Sequence, residues 1–217
     1  VVSQNLDPRN GRHPFVPGRW HKGLGRRRPL VRTQETQRGT RSIHDDRHSA
    51  SGFHRDRLVS GEVEYEREIV VHNGSAVIVP VFEDMRVALV RQYRHAAGKY
   101  LLEIPAGTLE LGEDPRTGAI RELEEEIGVT ATSVEKLCEF YISPGFLTEK
   151  MYVYLATGLT ETSQNLDADE FIEIERLSFP DIFDRIRSGE IEDAKTTAGV
   201  MLAETRVLTS VQNPHTP

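Results

Sequence analysis

A single cysteine, Cys138, leaves the 217-residue chain with no partner for an intrachain disulfide and no cysteine zinc site. Its alternating apolar surroundings, Val134 to Tyr141, predict a buried strand residue and not a reactive thiol. No apolar run approaches the roughly eighteen residues that a membrane helix needs, and no charged-then-apolar leader precedes a small-residue cleavage site. The expectation is a cytoplasmic protein without membrane contact. Periodicity is missing from residues 1–57: neither the helical nor the strand repeat holds over any useful window, and Gly, Pro, Ser and Thr are frequent. That stretch is expected to be a basic, disordered extension.

Positive charge is scarce where a nucleic-acid surface would need it. Residues 1–60 hold thirteen Lys or Arg and five Asp or Glu, a net of +8, while the rest carry fourteen against twenty-nine, a net of −15. An acidic body excludes general nucleic-acid binding by the core, because phosphate backbones call for a positive surface. It suits a cation site. The 37% hydrophobic content supplies a core for one ordinary domain, placed at residues 58–210 and followed by a short tail, 211–217.

Within that domain, short β-branched or apolar runs mark strands near 66–72, 75–82, 86–93 and 100–104, with His72-Asn73-Gly74 and Glu83-Asp84 as turns. A helix is expected over 114–127, then strands near 134–141, 150–157 and 171–178, and helices near 180–188 and 194–208. Strands and helices mix without regular alternation, so the fold class is α+β.

The helix at 114–127 carries the chemistry. Asp114 caps it, Pro115 opens it and Gly128 supplies a left-handed stop. At about 100° per residue, Ala119, Ile120, Leu123 and Ile127 form the core face. Glu122, Glu125 and Glu126 share the neighbouring arc, whereas Arg121 and Glu124 fall outside it. Carboxylates at these spacings repel one another by roughly 0.2–0.5 kcal/mol per pair. A hard divalent cation such as Mg²⁺ relieves that repulsion and is typically shared with substrate phosphates; a solvated acidic face is the plainer reading of the spacing alone.

Gly107, five residues, Glu113, seven residues, then Arg121-Glu122-Leu123-Glu124-Glu125-Glu126-Ile127-Gly128-Val129 resembles the Nudix box at every fixed position. Seven fixed residues at roughly one in twenty each make a chance match on the order of one in ten million. The resemblance implies an α/β/α Nudix sandwich with a central mixed sheet and an added antiparallel sheet. It implies Mg²⁺ or Mn²⁺ held by Glu122, Glu126, Glu125 and the carbonyl of Ala106, with Arg121 and Glu113 orienting the carboxylates.

Outside the box, Ser143-Pro144-Gly145-Phe146, Val90-Arg91-Gln92-Tyr93-Arg94 and Leu102-Glu103-Ile104-Pro105-Ala106-Gly107 are similar to motifs of the ADP-ribose pyrophosphatase subfamily. They imply hydrolysis of ADP-ribose to AMP and ribose 5-phosphate, a small nucleotide substrate, and a homodimer. Another substrate such as a GDP-sugar is the alternative within the class. A non-catalytic ADP-ribose sensor is disfavoured by the complete box. Arg91 or Arg94 is then a guanidinium fork for the diphosphate, Arg94 the better placed. Glu103 and Pro144 lie near the substrate, Glu103 otherwise being an edge-strand surface residue. The implied general base is a loop acid in Asp167-Ala168-Asp169-Glu170, with Glu170 ahead of Asp169 and Glu173.

Overall fold

The computed structural model describes residues 33–35, 41–44, 52–166 and 171–212. The chain divides into two units, 1–30 and 31–217, and all the described residues belong to the second. Its elements run β1 (Thr33–Glu35), β2 (Arg41–His44), β3 (Phe53–Ser60), β4 (Val63–Val70), β5 (Ser75–Pro80), β6 (Arg86–Arg94), β7 (Lys99–Glu103) and β8 (Ala106–Thr108). Then come α1 (Pro115–Glu122), a π turn (Leu123–Ile127), β9 (Val129–Tyr141), β10 (Lys150–Glu161), β11 (Glu173–Ser178), α2 (Phe179–Ser188) and α3 (Ala194–Gln212).

Strand β5 organises the sandwich. All six of its residues are buried, the mark of a central strand covered on both faces. Ala76 and Ile78 point to one side, where they pack with Ala88, Val90, Leu109, Ala119, Leu123 and Ile127. Val77 and Val79 point to the other, against Leu102, Ile104, Val153, Ile182, Val200 and Ala203. One face is thus covered by α1 and its π turn, the other by α2 and α3. The strand order is β8-β5-β10-β9, with β5 and β10 parallel and the other pairs antiparallel. This is the expected α+β sandwich around a mixed sheet.

Two antiparallel sheets are added where one was expected: β11-β6-β7 and β1-β2-β3-β4. The second corrects the reading of residues 1–57 as lacking strands, since β1, β2 and the start of β3 lie inside that stretch. The reason is chemical. Strand β3 is mostly exposed and carries charge where a half-buried strand would alternate apolar residues. Its register on β4 sets Arg55 opposite Glu68 and Arg57 opposite Glu66, and Arg55 donates to Glu68 at 2.6 Å. Opposite charges face to face stabilise a pair by roughly 0.2–1 kcal/mol, a signal that hydrophobic periodicity does not record.

Smaller departures have local causes. β9 begins at Val129, five residues before expectation, because Gly128 at φ +67° turns the chain at once onto β10. Ile120 is half-buried while Gly118 is buried, its Cα seated where a Cβ would come within 2.6 Å of Leu109 Cδ2. Cys138 lies on β9 as expected but is half-buried, with burial pushing its thiol pKa up, away from reactivity. Among the described residues no helix is long and apolar enough to cross a membrane.

Leu123, fully buried, fastens the box helix to β5 and β6. Leu123→Ala is expected to lower unfolding free energy by about 2–5 kcal/mol, measured by urea denaturation. A loss below about 1 kcal/mol would mean that the helix does not rest on this contact.

Candidate active site

The site is assembled where β8 passes the end of α1. The helix starts as its sequence dictates: the Asp114 carboxylate accepts from the N–H groups of Arg116 and Thr117, both at 3.1 Å, with Pro115 at the first helical position. It then widens into the π turn, a form concentrated at functional positions, which a uniform 100° step does not anticipate.

Glu122 and Glu126 are both buried, at 7% and 2% exposure, and both meet β8. The N–H of Ala106 donates to Glu126 Oε2 at 3.1 Å. One residue on, a Cβ built at Gly107 would overlap the Glu122 carboxylate. Glu125 is half-buried and Glu124 is exposed. Two buried carboxylates are therefore laid side by side against two successive residues of one strand.

Arg121 bends back over this group. Its guanidinium donates to Glu122 at 2.7 Å, to Glu125 at 2.8 Å and, as a fork, to both oxygens of Glu113 at 3.1 and 3.2 Å. The fork holds the Glu113 carboxyl below the usual range and raises the Arg121 pKa. Repulsion among the box carboxylates is thus relieved in part by the chain itself, where spacing alone assigned the task to a metal. Among the described residues, no three of His, Cys, Asp and Glu converge as a finished metal cage.

Glu103 is the most buried of the acids, at 1% exposure. It lies on an edge strand but not at the surface, which removes the bland reading of it. Arg94 forks onto it, Nε to Oε1 at 2.9 Å and Nη2 to Oε2 at 2.8 Å, and Lys195 also donates to Oε2. Burial opposes its ionisation, but these cations outweigh burial and hold its pKa below the ordinary value. Lys195 and its second partner Asp193, 3.0 Å away, were not found from sequence. A lysine in the first turn of a helix, against the helix dipole, was the available signal.

The remaining candidates separate. Arg91, three residues before Arg94, points to the opposite face of β6, where it donates to Glu175 at 2.6 and 3.0 Å beside Arg185. Glu173 stands opposite Arg91 in register and shares that face. Neither is brought to the box. Pro144 is exposed in a turn closed by Phe146 and Leu147 N–H groups donating to Ser143 O. That turn is tied back through Thr148, whose hydroxyl accepts from His72 N–H at 2.8 Å and donates to His72 O at 3.2 Å. Glu170 and Asp169 lie outside the described residues.

A polar cavity of about 310 Å³ opens beside the carboxylates, walled by Gly107, Thr108, Glu110, Arg121, Glu122, Glu125 and Asn165. A family model, the NUDIX domain, matches residues 72–199. The chain belongs to the Nudix family. An ADP-ribose pyrophosphatase from Bacillus subtilis (strain 168) is 41% identical to this Nudix chain over 137 residues, 62% of this chain and 74% of that protein. A methanol dehydrogenase activator from Bacillus methanolicus is also 41% identical over 137 residues, with the same coverage. A solved structure described as an ADP compounds hydrolase aligns at TM-score 0.66 over 85% of this chain and 98% of its own, with 21% identity, and shares the fold.

The residues of this Nudix site fit a hard divalent cation. Its donors are oxygens only, and Gly107 leaves a cradle at the Glu122 carboxylate that any side chain would fill. Five carboxylates, Glu103, Glu113, Glu122, Glu125 and Glu126, are set against Arg94, Arg121 and Lys195, so negative charge remains in excess.

Removing the Glu103 charge strands Lys195, itself buried, next to Arg94. Glu103→Gln is expected to destabilise the protein by about 3–5 kcal/mol at neutral pH. Because the folded pKa of Glu103 is depressed, its contribution is complete above the ordinary carboxylate range and is lost as pH falls through the folded value. The gap between wild type and variant should therefore close in acid. A constant gap in denaturation curves down the pH scale would contradict the assignment.

Proposed function

We propose that this protein is a divalent-metal-dependent hydrolase that cuts the diphosphate of ADP-ribose with water, giving AMP and ribose 5-phosphate. The observation that carries the reading is the pairing of Glu122 and Glu126 against Ala106 and Gly107, beside a polar cavity. The choice of ADP-ribose is supported by the Pro144 and Arg94 motifs and by the name of the Bacillus subtilis relative.

In this reading Glu122, Glu125, Glu126 and the Ala106 carbonyl hold Mg²⁺ or Mn²⁺. Such an ion, when bound, counters charge on phosphoryl oxygens and lowers the pKa of water. Arg121 and Glu113 keep the carboxylates in place. Arg94, with a side chain 38% exposed, transfers its fork from Glu103 to the diphosphate, while Glu103 keeps Lys195. Glu170 takes the proton of the attacking water as the new O–P bond forms, and the bridging P–O bond breaks to release the second phosphate. Glu173 shares a strand face with Arg91 and is the weaker choice.

With Mg²⁺ and a panel of nucleoside diphosphate derivatives, AMP and ribose 5-phosphate should be the dominant products, resolved by chromatography. Preference for a GDP-sugar would reject the substrate assignment. Glu126→Gln should lose orders of magnitude in activity with the fold intact, and Glu170→Gln about 10²–10⁴-fold in kcat. A large loss in Asp169→Asn with none in Glu170→Gln would move the base.

The protein works as a homodimer in this reading. Exposed Phe53 and Val70 are partners in register, and the N–H of Val70 donates to the carbonyl of exposed Phe146 at 2.7 Å, so these apolar side chains are contiguous with Val71. Light scattering should return twice the chain mass, falling to one chain in Val70→Asp; a wild-type monomer would refute the dimer.

A further inference from the structure

Glu125 and Glu126 sit where a helix runs out of its own hydrogen bonds. The last four carbonyls of a helix have no intrahelical partner. Here Glu124 O receives the Gly128 N–H at 3.0 Å, and the next two carbonyls look elsewhere. Both are met by the segment that leaves β10. The backbone N–H of Asn165 donates to Glu125 O at 3.0 Å, and the side-chain amide of Gln164 donates to Glu126 O at 2.7 Å. Thr162 N–H adds a third bond, to Gly128 O at 2.7 Å. The approach is close: a Cβ at Gly128 would stand 2.8 Å from the Gln164 nitrogen.

These bonds act on the backbone from which the carboxylates project. Glu126 reaches the Ala106 N–H only if the turn keeps its widened form, and a π turn lacks the regular ladder that would keep it so. Asn165 is also one wall of the polar cavity, so the clasp joins the turn to the space where a substrate would lie. Of the three donors, only Gln164 uses a side chain, which makes the clasp a property of that residue.

We propose that Gln164 is a positioning residue that holds the π turn in the form in which Glu125 and Glu126 bind metal, an inference that rests on the metal reading above. The probe is Mn²⁺ binding to the free, full-length protein, followed by electron paramagnetic resonance, with kcat and KM for ADP-ribose alongside. Outer partners of metal ligands are typically worth about 10–100-fold in metal affinity, and Gln164→Ala should weaken Mn²⁺ binding by that order with an unchanged far-ultraviolet circular dichroism spectrum. Gln164→Glu, which keeps the shape but cannot donate, should do the same. Gln164→Lys returns a donor of comparable reach and a charge favoured at a helix C-terminus, and should restore affinity to within about threefold. Unchanged Mn²⁺ affinity in folded Gln164→Ala overturns the proposal, as does a Lys variant no better than Ala. If Gln164→Glu does not fold, the Ala and Lys pair still decides. A wild type that binds no Mn²⁺ overturns the metal reading itself, and this inference with it.

Discussion

The contact between the backbone at Gly107 and the carboxylate of Glu122 is the constraint on which the rest of this structure depends. It exists only because position 107 has no side chain. Bringing a strand that close to a helix requires the helix to be pinned along its length. Gly118 lets it settle onto Leu109 and Ala76, Leu123 and Ile127 bury beneath it, and Asp114 fixes where it starts. None of these is chemical in itself. Together they set the positions from which two buried carboxylates meet Ala106 and Gly107, and so what the site can hold.

Burying acids in this way is unfavourable unless each is paired. The structure divides the work between two cations of different kinds. Arg121, with a planar fork, spans three carboxylates at once and remains partly exposed. Lys195 is compact and buried against Glu103. The distinction follows from the chemistry of the heads: a guanidinium bridges several oxygens without full dehydration, while an ammonium acts as a point charge on one. Arg94 is intermediate, forked onto a buried acid yet reachable from outside, which is why it and not Arg91 is suited to leave its partner for a ligand.

What could be read from the sequence was whatever depends on near neighbours. The cap at Asp114, the stop at Gly128, the alternation of β5 and the residues of the box are all set within a few positions, and they appear where expected. The π turn was not legible, because donors at 164 and 165 contribute to its form. Lys195 lies 92 residues from Glu103 and no local pattern announces the pair. Strand β3 was missed for another reason: its partner is recognised by charge, with Arg55 and Arg57 meeting Glu68 and Glu66, and a search for apolar alternation passes over it.

That difference separates two kinds of residue around the site. Those that define the chemistry are clustered in sequence, since a single helix and the strand before it present them. Those that hold the chemistry in place come from β10, α3 and the 72–74 segment, each reaching in with one or two bonds. A box transplanted without them would keep its carboxylates and lose their spacing. Glu126 illustrates the point: its side chain is oriented by Ala106, its backbone by Gln164, and its electrostatic surroundings by Arg94, three residues from three separate parts of the chain. The metal-binding geometry is therefore a property of the whole sandwich, although its signature occupies only residues 107–129.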